Sequence, residues 1–169
     1  MVTVRNVLLS DAAAIAGIHN YYIQNSAATF TEQDYTVRDI EEKIQRRQEE
    51  HYPFLCACDE NGKLVGFSYL STFRNQSAYR LTESSIYLDH ACSGKGIGRT
   101  LYTELIRQAR ATGRWSGIIA VITTENEHSV AFHHAMGFED CGVIPDSGFK
   151  FDRWHGIRFM RLPLECTRQ

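Results

Sequence analysis

The sequence predicts an α+β (mixed α/β) fold: a mostly antiparallel sheet, flanked by helices, with one parallel strand pair. Three observations carry this. Two apolar runs flank Asn61-Gly62 in "FLCACDENGKLVGFSYL", a strong hairpin signal. A strand over 80–90, an amphipathic helix over 96–112 and a buried strand over 117–122 form a crossover, which places the two strands parallel. A short helix pattern then leads into two further strands running to Leu164.

In chain order, "VTVRNVLL" alternates weakly and reads as a first strand, with Ser10 or Asp11 as the N-cap of a helix. Ile15, Ile18 and Tyr22 recur at helical spacing and carry that helix to about Asn25. After a polar loop, Thr36 caps a second helix whose narrow stripe of Val37, Ile40 and Ile44 leaves most of it facing solvent, until Pro53. The hairpin follows, and then "YRLTESSIYLDH", which sets Ser84, Ile86 and Leu88 on one face and Glu83, Ser85 and Tyr87 on the other. Ile97, Leu101, Leu105 and Ala109 define the crossover helix, closed by Gly113. "GIIAVI" is a buried strand, and "NEHSVAFHHAMGF" is a helix closed by Gly137.

The 169 residues are 43% hydrophobic and 22% charged, the composition of one globular domain over 1–169. A net charge of −2 supplies no basic field for a phosphate backbone, so nucleic acid is not expected as a partner. No apolar run approaches the roughly 20 residues of a membrane span, and the N-terminal run is broken by Arg5, Asn6, Ser10 and Asp11, unlike a signal peptide. A cytoplasmic protein without a membrane partner is expected. Cys56, Cys58, Cys92, Cys141 and Cys166 have no CxxC spacing, so neither a zinc site nor a disulfide framework is suggested, and no metal is expected.

The chemistry gathers at "HACSGKGIGRT". Gly94, Gly96 and Gly98 alternate and run into a helix, where free backbone N–H groups and the positive end of the helix dipole suit an anion. A dinucleotide fingerprint fails because Arg99 stands where the third glycine is needed, and a nucleotide P-loop fails because no GK[ST] closes the run.

This loop resembles the pyrophosphate-binding motif of the GNAT N-acetyltransferase family, falling on Ser93-Gly94-Lys95-Gly96-Ile97-Gly98, with Ser93 where Gln or Arg is usual. "IHNYYIQNSAATFTE", "YRLTESSIYL", "AVITTENEHSVAFHHAMGF" and "GFKFDRW" are similar, in order and spacing, to its phosphinothricin and methionine-sulfoximine acetyltransferase branch. The resemblance implies a GNAT fold with a splayed parallel pair, acetyl-CoA as cosubstrate, and direct transfer to the amine of a small amino-acid-like molecule. It implies that Ser93, Gly94, Lys95, Gly96, Ile97, Gly98 and Arg99 hold the pyrophosphate. The backbone of Ile86, Tyr87 and Leu88 is implied to bind the pantetheine and thioester, with Asn126 and Ser129 on the coenzyme A arm.

An ammonium cannot attack until it loses a proton. Glu83 occupies the general-base position of that branch, and His133, rather than its neighbour His134, that of a general acid or substrate-orienting residue. Arg74, Asn75 and Tyr79, with Phe30 and Thr31, are implied to line the acceptor pocket, and Trp154 to line it or to pack at a subunit contact. A homodimer is the family expectation. A different acceptor amine, such as a peptide N-terminus or a polyamine, and a non-catalytic acyl-CoA sensor are the alternatives.

Overall fold

The computed structural model describes residues 2–75, 78–92 and 94–165; Ser93 and Cys166 lie outside them. The elements are β1 (Thr3–Asn6), α1 (Ala12–Asn25), α2 (Val37–Glu49), β2 (Phe54–Cys58), β3 (Leu64–Thr72), β4 (Leu81–Leu88), α3 (Ile97–Thr112), β5 (Gly117–Thr123), α4 (Glu127–Ala135), β6 (Glu139–Lys150) and β7 (Arg153–Pro163). The strands form one sheet in the order β1-β2-β3-β4-β5-β7-β6, antiparallel throughout except for β4 and β5. The expected architecture is therefore borne out.

Each face of the sheet carries its own core. On one face, Leu101, Tyr102, Leu105 and Ala109 of α3 pack with Leu55, Leu70, Ile118 and Met160. On the other, Ile15 and Ala16 of α1 and Ile40 and Ile44 of α2 pack with Phe54, Cys56 and Phe67. Fully burying an aliphatic side chain contributes about 1.5–3 kcal/mol, and truncating one such as Leu105 to Ala costs about 2–5 kcal/mol. β4 is divided as its alternation requires, with Ile86 and Leu88 against the α3 core and Tyr87 against the α1 core. Thr36 caps α2 in a reciprocal box with Asp39.

Asp11 stands at the N-cap position of α1, as expected, but its side chain is used elsewhere. A 3-10 turn, Leu9–Asp11, precedes α1, and Asp11 makes no side-chain cap to that helix. Its carboxylate instead accepts the Leu8 N–H at 2.8 Å and pairs in two-pronged fashion with Arg5 at 2.7 and 2.8 Å. The charge-assisted, two-pronged pair with the guanidinium holds the carboxylate on the β1 side, where it also accepts Leu8, rather than over the first turn of α1.

The parallel pair has only three rungs, Leu81↔Gly117, Thr82↔Ile118 and Glu83↔Ile119. At the last rung the buried Tyr102 hydroxyl lies 2.6 Å from Ser84 Oγ, and Ser84 Oγ donates to the Ile119 carbonyl at 3.3 Å. Beyond this hydroxyl plug β4 and β5 separate.

Candidate active site

The separation of β4 and β5 is part of a cavity of about 630 Å³, lined by residues from both faces of the sheet. At one end are Gly94, Gly96, Ile97, Gly98 and Arg99, the start of α3. Gly94 (φ 79°) and Gly96 (φ 73°) are left-handed, and a Cβ on either would meet open space. The glycines are therefore needed for backbone conformation rather than for lack of room. Gly96 is the N-cap of α3 and supplies no side-chain acceptor to the first amides of that helix. Lys95 is exposed and forms no part of the cavity wall.

Along β4, the Asp89 N–H bonds Val65 on the β3 side, whereas the Arg80 carbonyl accepts from Ser116 on the β5 side. Alternation between these points turns the peptide groups of Ser84, Ile86 and Leu88 toward the gap and pairs those of Tyr87 with β3. Of the three residues expected to offer backbone to a ligand, Ile86 and Leu88 have peptide groups that face the gap. Tyr87 lines the cavity with its side chain. The Leu88 carbonyl already accepts the Tyr22 hydroxyl at 2.8 Å.

Asn126 and Ser129 line the same cavity. The Asn126 side-chain oxygen caps α4 by accepting the Ser129 N–H at 3.1 Å, which leaves its amide N–H₂ as the group available to a ligand. His133 also reaches the wall, though it is only 4% exposed, with the Tyr102, Phe132 and Phe138 rings around it. Its Nδ1 lies 2.8 Å from the Ser129 carbonyl, which can only accept, so Nδ1 carries the hydrogen. Burial lowers the His133 pKa, a fall that the Ser129 contact opposes and the charge of His134 reinforces. The ring is thus neutral, with Nε2 as a hydrogen-bond acceptor.

Glu83 lies half-buried on the wall just where the strands part, and burial raises its carboxyl pKa, the direction a general base needs. Phe30 and Thr31 join it from the α1–α2 loop. Arg74, Asn75 and Tyr79 do not line the cavity: all three are exposed in the β3–β4 connection. Trp154 is 61% exposed and packs edge-on against Phe149 across the β6–β7 hairpin, also outside the cavity. The resemblance that assigns them to the pocket identifies residue types in order along the chain, which does not fix where a connecting segment sets them.

Their place is taken by residues the sequence reading missed. His19, Tyr35 and Tyr69 complete the wall around Glu83 and Tyr87. His19 is 4% exposed, its ring edge-on to Tyr87 at 4.5 Å, and burial lowers its pKa to about 4, helped by the charge of Lys43. Tyr69 had a readable signal. The β3–β4 register pairs Ser71 with Glu83 and Tyr69 with Ser85, which puts the phenol beside the carboxylate on the same face. Among the described lining residues, Arg99 is the only Lys or Arg, and it stands at the glycine-loop end.

Comparison with known proteins decides the family. Residues 4–156 match the family model described as an acetyltransferase (GNAT) domain. The chain belongs to the GNAT acetyltransferase family. It is 34% identical over 164 residues to the L-methionine sulfoximine/L-methionine sulfone acetyltransferase of Salmonella typhimurium, covering 96% of this chain and 95% of the relative. It is 32% identical over 165 residues to the phosphinothricin N-acetyltransferase of Streptomyces viridochromogenes, covering 97% and 88%. The crystal structure of a GNAT superfamily phosphinothricin acetyltransferase from Sinorhizobium meliloti in complex with acetyl-CoA superposes with a TM-score of 0.93 at 37% identity, covering 96% of this chain and 88% of that one. The family, the fold, the enzyme class and acetyl-CoA as acyl donor thus stand as expected. Among the described residues, no helix is long and apolar enough to cross a membrane.

Proposed function

We propose that this GNAT acetyltransferase acylates the amine of a small amino-acid-like molecule by direct transfer between two bound substrates. One observation carries the reading: a single half-buried carboxylate, Glu83, stands on a continuous cavity wall between the glycine loop and an aromatic chamber. Acetyl-CoA brings the thioester. The open amides at the start of α3, with Arg99, suit its pyrophosphate, and the β4 edge at Ile86 and Leu88 suits its pantetheine arm. A gap-facing N–H on that edge stabilises negative charge developing on the thioester oxygen, an effect worth about 10²–10³ in rate in comparable sites.

Glu83 accepts the ammonium proton directly or through water, freeing the lone pair that attacks the carbonyl. His133 orients rather than protonates, because its one hydrogen is committed to the Ser129 carbonyl. The coenzyme A thiol, with an ordinary pKa of about 8.5, leaves as thiolate and takes its proton from solvent. The amino-acid-like acceptor is supported by the relatives named for phosphinothricin and methionine sulfoximine.

A polyamine is the second reading, favoured by the lack of a Lys or Arg beside Glu83 among the described lining residues. The two readings separate in a panel of phosphinothricin, methionine sulfoximine, methionine sulfone, spermidine and a short peptide, scored by free-thiol release from acetyl-CoA. Turnover confined to the three amino-acid analogues is expected. Turnover of spermidine alone transfers the assignment to polyamines, and binding of acetyl-CoA with no thiol release on any amine overturns catalysis in favour of a sensor.

A further inference from the structure

Lys150, the last residue of β6, is 5% exposed, and a buried ammonium is costly unless hydrogen bonds replace its water. Its Nζ donates to the Ser26 and Thr29 carbonyls, both at 2.8 Å, and lies 5.0 Å from the Phe151 ring centre. Those carbonyls bracket Ala27 and Ala28 in the α1–α2 loop, and Ala27 to Thr31 all line the cavity. The loop's own bonds are short-range, Ala28 N–H to Ser26 Oγ at 3.0 Å and Thr31 N–H to Thr29 Oγ1 at 3.2 Å. Beyond these, Tyr87 bonds the Thr29 side chain and Tyr35 that of Thr31, and the two Lys150 bonds tie the segment's backbone carbonyls to the hairpin.

The hairpin reaches the loop at a second point. A Cβ on Gly148 would lie 2.6 Å from two ring carbons of Phe30, so the Phe30 ring rests directly on the glycine backbone. The Phe30 ring centre is 6.0 Å from that of His155, whose Nε2 lies 2.8 Å from the Lys150 carbonyl and whose Nδ1 contacts the Glu125 carboxylate. Arg153 pairs with the other Glu125 oxygen at 2.8 Å. Glu125 directly precedes Asn126, the cap of α4. Phe151 (φ 52°) and Asp152 (φ 57°) are both left-handed, closing the two-residue turn that brings Lys150 opposite Arg153.

We propose that Lys150 is a positioning residue for the acceptor: by tying the Ser26 and Thr29 carbonyls to the β6–β7 hairpin, it sets the chamber wall that carries Phe30 and Thr31. The inference rests on the acetyl-transfer reading for the role of that chamber, and gives the "GFKFDRW" segment a function through Lys150 rather than Trp154.

Lys150→Met keeps the length of the stem and leaves both carbonyls without their donor, Lys150→Arg keeps a cationic donor, and Gly148→Ala displaces Phe30 with the Lys150 bonds intact. With L-methionine sulfone as acceptor, Lys150→Met and Gly148→Ala are each expected to raise acceptor KM about tenfold or more while acetyl-CoA Kd stays within about twofold. Lys150→Arg recovers part of the loss. Amide hydrogen exchange should rise in Lys150→Met over residues 26–31 and stay unchanged over 94–99. Unchanged exchange over 26–31, or acceptor KM and acetyl-CoA Kd shifting together, overturns the proposal. A wild-type protein inert toward every amine, with 26–31 loosened in Lys150→Met, retires the acetyl-transfer reading while bearing out the clamp.

Discussion

Replacing Glu83 by Gln removes a proton acceptor and preserves shape and hydrogen-bonding capacity. At neutral pH an amine of pKa about 8–10 is mostly ammonium, so loss of its proton is part of the barrier. A positioned general base contributes about 10²–10⁴ in rate, or about 2.7–5.4 kcal/mol at 1.36 kcal/mol per tenfold. Because burial raises the Glu83 pKa, its basicity is brought closer to that of the amine, and a loss of about 10²–10³ in kcat/KM near pH 7 is expected. The loss should narrow above the amine pKa, where the acceptor arrives already neutral. Stability should move the other way. A carboxyl whose folded pKa is raised favours the folded state below the unfolded pKa and loses that advantage as pH rises through the folded value, so at pH 7 Gln replaces a penalised charge. Glu83→Gln should therefore melt no lower than wild type. Thiol-release kinetics from pH 6 to 10, with a melting curve at pH 7, test both parts. A loss below about threefold, or one that stays constant across the amine pKa, would refute Glu83 as the base.

Three other outcomes follow from the same geometry. His19, with its folded pKa near 4 and an unfolded value of about 6.5, stabilises the fold fully above the unfolded value and loses that contribution as pH falls toward 4. Unfolding free energy should drop by up to about 1.4 kcal/mol per pH unit over that window, and His19→Phe should flatten the slope in denaturant titrations. Gly96→Ala forces an alanine to φ 73° at a cost of about 1–2 kcal/mol, so calorimetry should show acetyl-CoA Kd rising about fivefold or more. From the exposed Val143, Ile144, Phe149, Phe151 and Trp154 of the β6–β7 hairpin we propose that the homodimer expected of the family forms through this hairpin. Light scattering should then report a dimer for wild type and a monomer for an Ile144→Lys, Trp154→Glu double variant, whereas a monomeric wild type would end that proposal.

Local signals made most of the fold legible. The α3 stripe of Leu101, Leu105 and Ala109 and the alternation of Glu83 to Leu88 both record which face meets a core, and the core then placed them as read. Gly94 and Gly96 were visible because a left-handed residue leaves a compositional trace. The start of α1 at Asp11 is legible, but the use of its carboxylate is not, because the Arg5 that pairs with it comes from β1. The family resemblance places Arg74 and Tyr79 in the pocket, whereas both are exposed outside the cavity. His19 meets Tyr87 from a distant strand, Tyr35 is set by Asn20 of α1, and Lys150 acts on the chamber wall only through the Ser26 and Thr29 carbonyls, so no local pattern announces them. Tyr69 lay between these cases, readable by anyone who registered β3 on β4 before looking for a pocket.

The most direct test of acetyl transfer is the balance of products. Acetyl-CoA and L-methionine sulfone are incubated with the enzyme, free thiol is counted, and the N-acetylated amino acid is quantified by mass spectrometry. Equal amounts of thiol and N-acetyl product are expected, with both lost together in Glu83→Gln. Thiol released without N-acetyl product, or neither product from a protein that binds acetyl-CoA, would contradict the assignment of this cavity to amine acetylation.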